Sequence, residues 1–543
     1  MKKSVKAALR RHPFARWARL KLGHRELQPS LRRQLGWAGS GQHAARRGPR
    51  ILVPLIETSH YQFYQLLIVA KALQLRGADV RILLCGSLLP ACEIRSARNT
   101  DANPCLACRF NQRSMLPHFG LETDTLARHV TVGDVARLRK LAAGIARDYP
   151  ATYLHGGIDI IPMTNDSVMR YYYGAVPEDI TTLTNIRAQF LNTALLGIAV
   201  SEHIQKEWDP DIILGQMNVY ADWAPYFKYF SKIGKQTNLI SISPFNYNAV
   251  VFDSMKLYES PERYERFLRQ RGTHPLTPTE RAELSKITGE RFSLTAQTFV
   301  DMKCFEGLQD VRRILRIDKK QRNIFLFSNV FWDIGISELG TLFDGVISWV
   351  LETIDLLREQ PGVHLFIKPH PAEKFDSSPS MRGVIEAIHE RYPTLPSNVT
   401  IVAPELKISP YELFPYIDLG VVYNGTVGLE MLMHDIPLVV GGAAPYSNLG
   451  FGHEPSSVGE YRAALLGLSS HPRPARDAVD LFAYFYFVKT LIPWTLTHRA
   501  YAHQFDGYRI ESLDDLLPGR DAHVDHLCDC VLQPAETVVE AWE

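Results

Sequence analysis

The sequence lacks long hydrophobic runs and is poor in cysteine. No window approaches the roughly 18 consecutive apolar residues of a membrane-spanning helix, which excludes a helical integral membrane protein. No apolar segment with the features of a secretory signal is present, so we expect a cytoplasmic protein. Seven cysteines in 543 residues do not indicate a disulfide framework, which a cytoplasmic protein would not keep. Neither an internal repeat nor a low-complexity tract is visible.

Acidic residues are almost missing from the first fifty positions, where fourteen Lys and Arg accompany the single acid Glu26. The local charge is therefore +13, and since the whole chain carries +2, the remainder carries −11. Residues 1–49, the basic leader, also contain Phe14 and Trp17 at a spacing compatible with an amphipathic helix interrupted at Pro13. Such a segment binds an anionic membrane surface, and a solvated, disordered tail is the equally weighted alternative. The acidic body carries no nucleic-acid recognition motif, so nucleic acid is not a predicted partner.

The segment after the leader has the pattern of a βαβ unit. A buried strand is predicted over Arg50–Ile56, a helix over Gln62–Arg76 and a second strand over Asp79–Leu84. This order predicts a parallel sheet with its ligand cleft at the carboxyl ends of the strands. Glu57 and His60 follow the first strand and are therefore predicted to line that cleft.

The same pattern returns further along the chain. Strands are predicted over Asp211–Leu214 and Gln236–Ile242, with Asn218 and Asp222 in the connection between them. A second βαβ series starts with a strand at Asn323–Phe327 and a helix from about residue 342 to 359. The polar, helical stretch between the two series is expected to connect two domains.

Two strands of the second series end in small polar clusters. The first, His364–Lys368, continues into Pro369 and His370. The second, Asp418–Tyr423, breaks at the loop Asn424-Gly425-Thr426-Val427-Gly428, after which a helix and a strand follow. Glycines and a helix start let backbone N–H groups approach an anion, so this unit is predicted to hold a nucleotide phosphate. Glu430, one turn into the helix, is a candidate ribose ligand or an acid that complements the helix dipole.

Four cysteines cluster in the first domain. Cys105-Leu-Ala-Cys108 has the C-x-x-C spacing that holds zinc, and Cys85 and Cys92 would complete a tetrahedral set. The irregular spacing of Cys85 and Cys92 instead favours burial without a metal. The four cysteines are a candidate structural zinc site, with simple burial as the alternative.

Six motifs in order resemble the capsule polysaccharide biosynthesis proteins, which are bacterial GT-B glycosyltransferases related to the Kdo transferases of capsule assembly. The resemblance is dense over residues 323–465, looser over 51–243, and does not cover the leader or the tail after about residue 472. The motifs are Ser328-Asn-Val-Phe-Trp-Asp333, Trp349-Val-Leu-Glu-Thr-Ile354, Ile367-Lys-Pro-His-Pro-Ala-Glu373, Ile408-Ser-Pro-Tyr-Glu-Leu413, Asn424-Gly-Thr-Val-Gly-Leu-Glu430 and Tyr446-Ser-Asn-Leu-Gly-Phe-Gly452.

The resemblance implies how a nucleotide-sugar donor is held. His370 and Thr426 would bind the nucleotide phosphates, Lys368 would add charge, and Glu430 would reach the ribose. Relatives often carry a serine or a second hydroxyl where this chain has Asn424-Gly425-Thr426, so one contact becomes an amide. No cofactor is required for the chemistry, because side chains and a helix dipole can stabilise the leaving phosphate.

The resemblance and the pattern together predict an α/β fold of the GT-B type, with two Rossmann-like αβα domains facing a cleft. The expected organisation is the leader (1–49), an acceptor domain with the cysteine cluster (50–260), a helical connection (261–320), a donor domain (321–471) and a helical tail crossing back to the first domain (472–543). The expected catalytic groups, which activate the acceptor hydroxyl, are Glu57, His60 and Asp222.

The predicted function is transfer of a sugar from a nucleotide-activated donor to a surface polysaccharide, capsule or O-antigen, or to its lipid-linked primer. The expected location is the cytoplasm, peripheral on the inner membrane face through the leader. A polyol-phosphate transferase, a nucleotide-sugar 2-epimerase and a non-catalytic assembly scaffold are the alternatives. The polar set Lys368, His370, Thr426 and Glu430 disfavours the scaffold.

Overall fold

The computed structural model describes residues 48–58, 62–97, 104–242, 249–252, 262–292, 310–332, 342–375, 379–468, 470–498, 507–510 and 512–533. Nearly all of the basic leader and the candidate catalytic residue His60 lie outside the described residues. The predictions made for them stay predictions.

The strands of the first domain form a seven-stranded sheet and a small hairpin. The sheet order is β14-β8-β7-β6-β1-β2-β3, in which β8 and β14 are antiparallel to their neighbours and the other five strands are parallel. The strands are β1 (Arg50–Leu55), β2 (Asp79–Leu84), β3 (Glu122–Thr125), the hairpin β4 (Leu154–His155) and β5 (Ile158–Asp159), β6 (Ile212–Gly215), β7 (Gln236–Ile242) and β8 (Ala249–Phe252).

The second domain is built on a five-stranded parallel sheet of order β11-β10-β9-β12-β13. Its strands, and those of the tail, are β9 (Arg322–Phe327), β10 (Val363–Lys368), β11 (Val399–Ile401), β12 (Leu419–Val422), β13 (Leu438–Val440), β14 (Leu491–Pro493), and the paired β15 (Thr497–His498) and β16 (Gly507–Tyr508).

Helices cover both sheets. They are α1 (Gln62–Leu75), α2 (Pro104–Phe119), α3 (Val132–Asp148), α4 (Ile161–Tyr172), α5 (Ile180–Glu207), α6 (Ala224–Lys232), α7 (Glu262–Arg271), α8 (Pro278–Phe292), α9 (Val311–Ile314), α10 (Val346–Leu357), α11 (Ala372–Phe375), α12 (Val384–Arg391), α13 (Pro410–Leu413), α14 (Val427–Leu432), α15 (Val458–Leu466), α16 (Arg476–Tyr484), followed by a π-helical turn (Phe485–Lys489), and α17 (Ala522–Leu532). Short 3₁₀ turns lie at Leu126–His129, Pro404–Leu406, Phe414–Tyr416 and Leu513–Leu516.

The parallel parts of the two sheets have the same strand order. Numbered within each domain, both read 3-2-1-4-5, which is the order of the first five strands of a Rossmann fold. The strands are apolar on both faces because helices cover both sides. In β1, for example, Ile51 and Val53 pack into one core cluster and Leu52 into the other. The predicted fold class, two Rossmann-like domains, is confirmed.

The predicted strands and helices match the structure to within a few residues. Strand β7 has the predicted bounds, and β1 ends one residue earlier than predicted. The helix predicted from about residue 342 spans Val346–Leu357. In the described part of the connection, α7 and α8 pack on the second domain, where Tyr264 meets the ring of Phe482 edge-on at 4.9 Å.

The tail returns to the first domain. It contributes β14 to the edge of the seven-stranded sheet, paired with β8, and it places α17 against α1. Leu527 of α17 is fully buried in this contact, and the Arg76 guanidinium at the end of α1 pairs with the Asp525 carboxylate. The first domain core therefore includes residues from the far end of the chain. Among the described residues, no helix is long and apolar enough to cross a membrane.

Shortening a tail side chain should destabilise the first domain. We expect Leu527→Ala to lower the free energy of unfolding by about 2–5 kcal/mol, because it leaves a cavity between α17 and α1. Asp529→Ala, at an exposed position of the same helix, is the matched control and should change it by less than about 0.5 kcal/mol. Urea unfolding of the full chain measures both. Equal effects of the two substitutions would show that α17 does not pack here.

Candidate active site

The strand order places a ligand crevice in each domain. In a 3-2-1-4-5 sheet the chain leaves the first and fourth strands in opposite directions, and ligands bind outside their carboxyl ends. In the second domain these strands are β9 and β12. Phe327 of β9 is level with both Lys368 of β10 and Val422 of β12. The three strands therefore end at the same height, and the polar residues that follow them emerge side by side.

Lys368 and His370 lie at the end of β10. Lys368 is buried, and its carbonyl accepts a hydrogen bond from the Ser328 backbone N–H at 3.1 Å. The Ala372 backbone N–H donates to Nδ1 of His370 at 3.2 Å. In the neutral ring the proton is therefore on Nε2, which makes that nitrogen the hydrogen-bond donor. A donor in this place suits a phosphate oxygen.

The loop after β12 contributes amide and hydroxyl groups. The side-chain oxygen of Asn424 is buried and has no hydrogen-bond partner among the described residues. Thr426 precedes α14 and makes no capping bond through its side chain. A Cβ placed on Gly425 would lie 3.6 Å from the side-chain nitrogen of Asn329, so the loops after β9 and β12 are adjacent. Asn424, Thr426 and Asn329 thus form one polar surface at the end of the sheet.

The structure gives Gly428 a packing role. A Cβ at this position would lie 1.9 Å from the hydroxyl of Tyr446, and that hydroxyl donates to the Gly425 carbonyl at 2.8 Å. A side chain at residue 428 would therefore collide with Tyr446, and the predicted approach of an anion to this loop stays a prediction.

Glu430 lies beneath the loop. Its carboxylate is 2% exposed and accepts a hydrogen bond from the Tyr411 hydroxyl at 3.1 Å. Helix α14 has only six residues, so its dipole adds little to an anion site.

The first domain brings acids to its own crevice, at the ends of β1 and β6. Asp222, in the segment between β6 and α6, is buried, and its Oδ2 accepts the Glu93 backbone N–H at 2.9 Å. Its Oδ1 has no hydrogen-bond partner among the described residues. Burial raises the pKa of Asp222 to about 8, and the negative charges of Glu93 and Glu57 contribute. Two of the three predicted catalytic residues, Glu57 and Asp222, thus interact.

The two domains meet beside these acids. The Arg170 guanidinium lies 3.6 Å from the Glu93 carboxylate and 4.9 Å from the centre of the Trp332 ring. Trp332 also meets the Tyr173 ring edge-on at 4.8 Å, and the Met381 N–H donates to the Tyr173 carbonyl at 2.9 Å. Trp332 follows β9. Arg170 therefore connects the acids of the first domain to the end of the second-domain sheet at which Lys368 and His370 lie.

The cysteines lie next to the same crevice. The Thr58 hydroxyl donates to the Cys108 carbonyl at 3.1 Å, which fastens α2 to the end of β1. Burial raises the pKa values of the Cys85, Cys92 and Cys108 thiols, that of Cys108 to about 11. Cys85 interacts electrostatically with Cys105. Within the described ranges no three of the four thiols lie within 4.8 Å of one another, and the structural zinc site stays a prediction.

Three residues of this site escaped prediction as site residues. Asn329 follows a predicted strand and lies beside the loop after β12, which was predicted to hold phosphate. This position is the signal from which Asn329 could have been predicted as a site residue. Glu93 and Arg170 come from a loop and from the end of α4, where the sequence shows no motif. Only the tertiary fold brings them to Asp222.

The fold is of the GT-B type, with two Rossmann-like domains that meet at Arg170 and Trp332. Residues 301–460 match the sequence profile of the family described as "Capsule polysaccharide biosynthesis protein", which confirms the predicted resemblance over that stretch. The matched stretch contains β9 to β13, Lys368, His370 and the loop after β12.

Several solved structures are similar at low identity. Two are KpsC proteins of Thermosulfurimonas dismutans. The beta Kdo 2,4 transferase is 12% identical to this chain, and the match covers 57% of this chain and 88% of that protein, with a TM-score of 0.36. The beta Kdo 2,7 transferase has 12% identity, coverage of 52% and 78%, and a TM-score of 0.30. Anabaena HepE with UDP and glucose has 12% identity, coverage of 81% and 96%, and a TM-score of 0.26. No curated protein matches the chain.

The buried acid predicts a pH-dependent stability. Between the ordinary carboxyl pKa of 3.8 and about 8, the unfolded chain has released the proton of Asp222 while the folded protein retains it. The wild-type free energy of unfolding should therefore fall as pH rises through this window. Asp222→Asn keeps an acceptor for the Glu93 N–H but does not titrate, so its stability should fall less steeply.

Urea unfolding between about pH 5 and about pH 8 measures this difference. Asp148→Asn, at an exposed position of α3, is the matched control and should follow the wild type. Parallel pH profiles for the wild type and Asp222→Asn would show that the Asp222 pKa is not raised.

Proposed function

We propose that this protein is a glycosyltransferase that moves a sugar from a nucleotide-activated donor to a surface polysaccharide of the capsule or O-antigen type, or to its lipid-linked primer. The observation that carries the proposal is the assembly of the site. The groups predicted to bind phosphate, which are Lys368, His370 and the loop after β12, lie within the segment that matches the capsule family. The buried acid Asp222 of the first domain is linked to them through Arg170 and Trp332.

The donor is held by the second domain. Lys368 compensates the charge of the nucleotide phosphates. The Nε2–H of neutral His370, the side-chain amide N–H groups of Asn329 and Asn424 and the hydroxyl of Thr426 donate hydrogen bonds to them. Such fixed donors stabilise the negative charge that develops on the leaving phosphate, so no metal is needed for this step. A ribose contact by Glu430 is not part of the proposal, because its carboxylate already accepts a hydrogen bond from the Tyr411 hydroxyl, whereas Oδ1 of Asp222 has no partner among the described residues.

The acceptor is activated by the first domain. In its ionised form Asp222 takes the proton from the acceptor hydroxyl, whose oxygen attacks the anomeric carbon of the donor sugar. The bond between that carbon and the phosphate oxygen breaks, and the nucleotide leaves with the electron pair. Burial, with the nearby charges of Glu93 and Glu57, raises the pKa of Asp222 and keeps it mostly protonated at neutral pH, while Arg170 compensates part of the charge of Glu93. His60 remains an alternative base.

The basic leader is proposed to hold the enzyme at an anionic membrane surface, where a lipid-linked acceptor lies. The support is the charge of +13 over the first fifty residues and the aromatic residues interspersed in the leader.

Nucleotide binding tests the donor site. Thermal unfolding of the full chain with CMP, CDP, UDP and GDP should show stabilisation by one of them, about 2.7 kcal/mol at a concentration one hundred times its dissociation constant. The stabilisation should be lost in His370→Ala, because Nε2 of His370 donates to a phosphate oxygen. His389→Ala, an exposed histidine at the end of α12, is the matched control and should keep it.

The nucleotide that stabilises the protein also identifies the donor class. A second assay identifies the reaction: it follows release of this nucleotide together with transfer of a labelled sugar to polysaccharide. Stabilisation that persists in His370→Ala would exclude this site as the donor site. Release of nucleotide without transfer to any acceptor would contradict the assignment as a glycosyltransferase.

A further inference from the structure

A second polar cluster lies in the first domain, apart from the candidate active site. Asp124 is on β3, and His129 ends the 3₁₀ turn that follows it. His203 and Glu207 are four residues apart in the last turns of α5. Trp208, which follows Glu207, donates its ring N–H to the Asp79 carboxylate at the start of β2. The cluster therefore lies at the β3 edge of the sheet, between the turn that follows β3 and the end of α5.

The side-chain atoms of this cluster have the spacing of a metal site. Nδ1 of His129 and Nδ1 of His203 are 3.0 Å apart. Oε2 of Glu207 is 3.5 Å from the first nitrogen and 3.6 Å from the second. Tetrahedral zinc with bonds of about 2.0–2.1 Å places its ligand atoms about 3.3 Å apart. The three atoms thus define three corners of a zinc tetrahedron, with the fourth corner left for water.

The surroundings fix these ligands. Nε2 of His129 lies 2.9 Å from Oδ2 of Asp124, and the two side chains are 1% and 4% exposed. This buried carboxylate accepts the Nε2 proton, so the lone pair of Nδ1 points toward His203 and Glu207. A carboxylate behind a metal-binding histidine is the usual arrangement in zinc proteins.

Arg128 is the one cation recorded at this cluster among the described residues. Its guanidinium bonds Oε1 of Glu207 at 2.6 Å and Oδ2 of Asp124 at 3.3 Å. The other oxygen of Glu207, Oε2, is the one that faces both histidines. Arg128 thus positions the carboxylate, while its charge lowers the affinity for a cation.

We propose that His129, His203 and Glu207 bind a zinc ion, with Asp124 as the positioning residue behind His129. The donor set of two imidazoles and one carboxylate suits zinc and excludes magnesium and calcium, which require oxygen ligands. The ion joins the turn after the edge strand β3 to the end of α5, so its role is to stabilise the first domain. Without metal, His203 donates a hydrogen bond from Nδ1 to His129, and binding moves this proton to Nε2 of His203.

Metal titration of the full, untagged chain tests the proposal. After removal of metal with a chelator, zinc is titrated in competition with a chromogenic chelator, and thermal unfolding is followed with and without zinc. We expect zinc to bind and to raise the unfolding temperature of the wild type, and both effects to be lost in His203→Ala and Glu207→Gln. These side chains are 51% and 34% exposed, so both variants should fold. His389→Ala, exposed at the end of α12, is the matched control.

Two further variants separate this site from the cysteine cluster and test the role of Asp124. Cys105→Ser with Cys108→Ser should leave the His203-dependent zinc in place, and cobalt in that variant should show no thiolate charge-transfer band. Asp124→Asn should lower zinc affinity about 10–100-fold. The proposal is overturned if His203→Ala binds as much zinc as the wild type, or if the wild type binds none and the cluster is a metal-free hydrogen-bond network.

Discussion

The pairing of β9 with both β10 and β12 is the constraint on which the donor half of the site depends. Because Phe327 is level with Lys368 on one side and Val422 on the other, the three strands end together. Polar residues that are about 50 and 100 positions apart in the sequence therefore share one edge of the sheet. The strands themselves are buried on both faces, so their ends are rigid supports for a charged ligand.

The first domain has the same strand order, but acids lie at the carboxyl ends of its strands. The corresponding strand ends of the second domain carry the residues predicted to bind phosphate. Asp222 is held by one backbone hydrogen bond and sits near two further carboxylates, an arrangement that is unfavourable for a charged acid. Burial without a paired cation costs stability, and the fold tolerates this cost at functional sites. As the proposed base, Asp222 with a pKa raised to about 8 takes a proton from a sugar hydroxyl only in its ionised fraction, which grows as the pH rises toward 8.

The fold was largely predictable because its strands are short, continuous apolar runs bounded by polar residues. The run Ile51–Leu55 shows this most clearly, because all five residues are apolar and buried, as both faces of a parallel strand require. β14 was not predictable, because three residues after a helix carry no periodic pattern and only pairing with β8 makes them a strand. The predicted helical tail therefore also supplies an edge strand.

Residues at strand ends could be placed from the sequence, and residues from loops and helix ends could not. Lys368, His370, Asn424 and Thr426 end or follow strands of the second domain, and Glu57 follows β1, so their edges can be deduced from strand order. Glu93 and Arg170 reach the crevice through a loop and a helix end, for which sequence spacing carries no information. The burial of Glu430 and the contact of Gly428 with Tyr446 depend on side chains more than fifteen positions away, which local motifs do not reveal.

The pH dependence of sugar transfer by the wild type and Asp222→Asn tests the central claim most directly, once the donor nucleotide is known. The wild-type rate should rise with pH and level off above about pH 8, as Asp222 becomes ionised. Asp222→Asn should bind the nucleotide normally, lose this pH dependence and transfer sugar about 10²–10⁴-fold more slowly. A variant that retains the wild-type rate and pH profile would contradict the assignment of Asp222 as the base and the division of the site between the two domains.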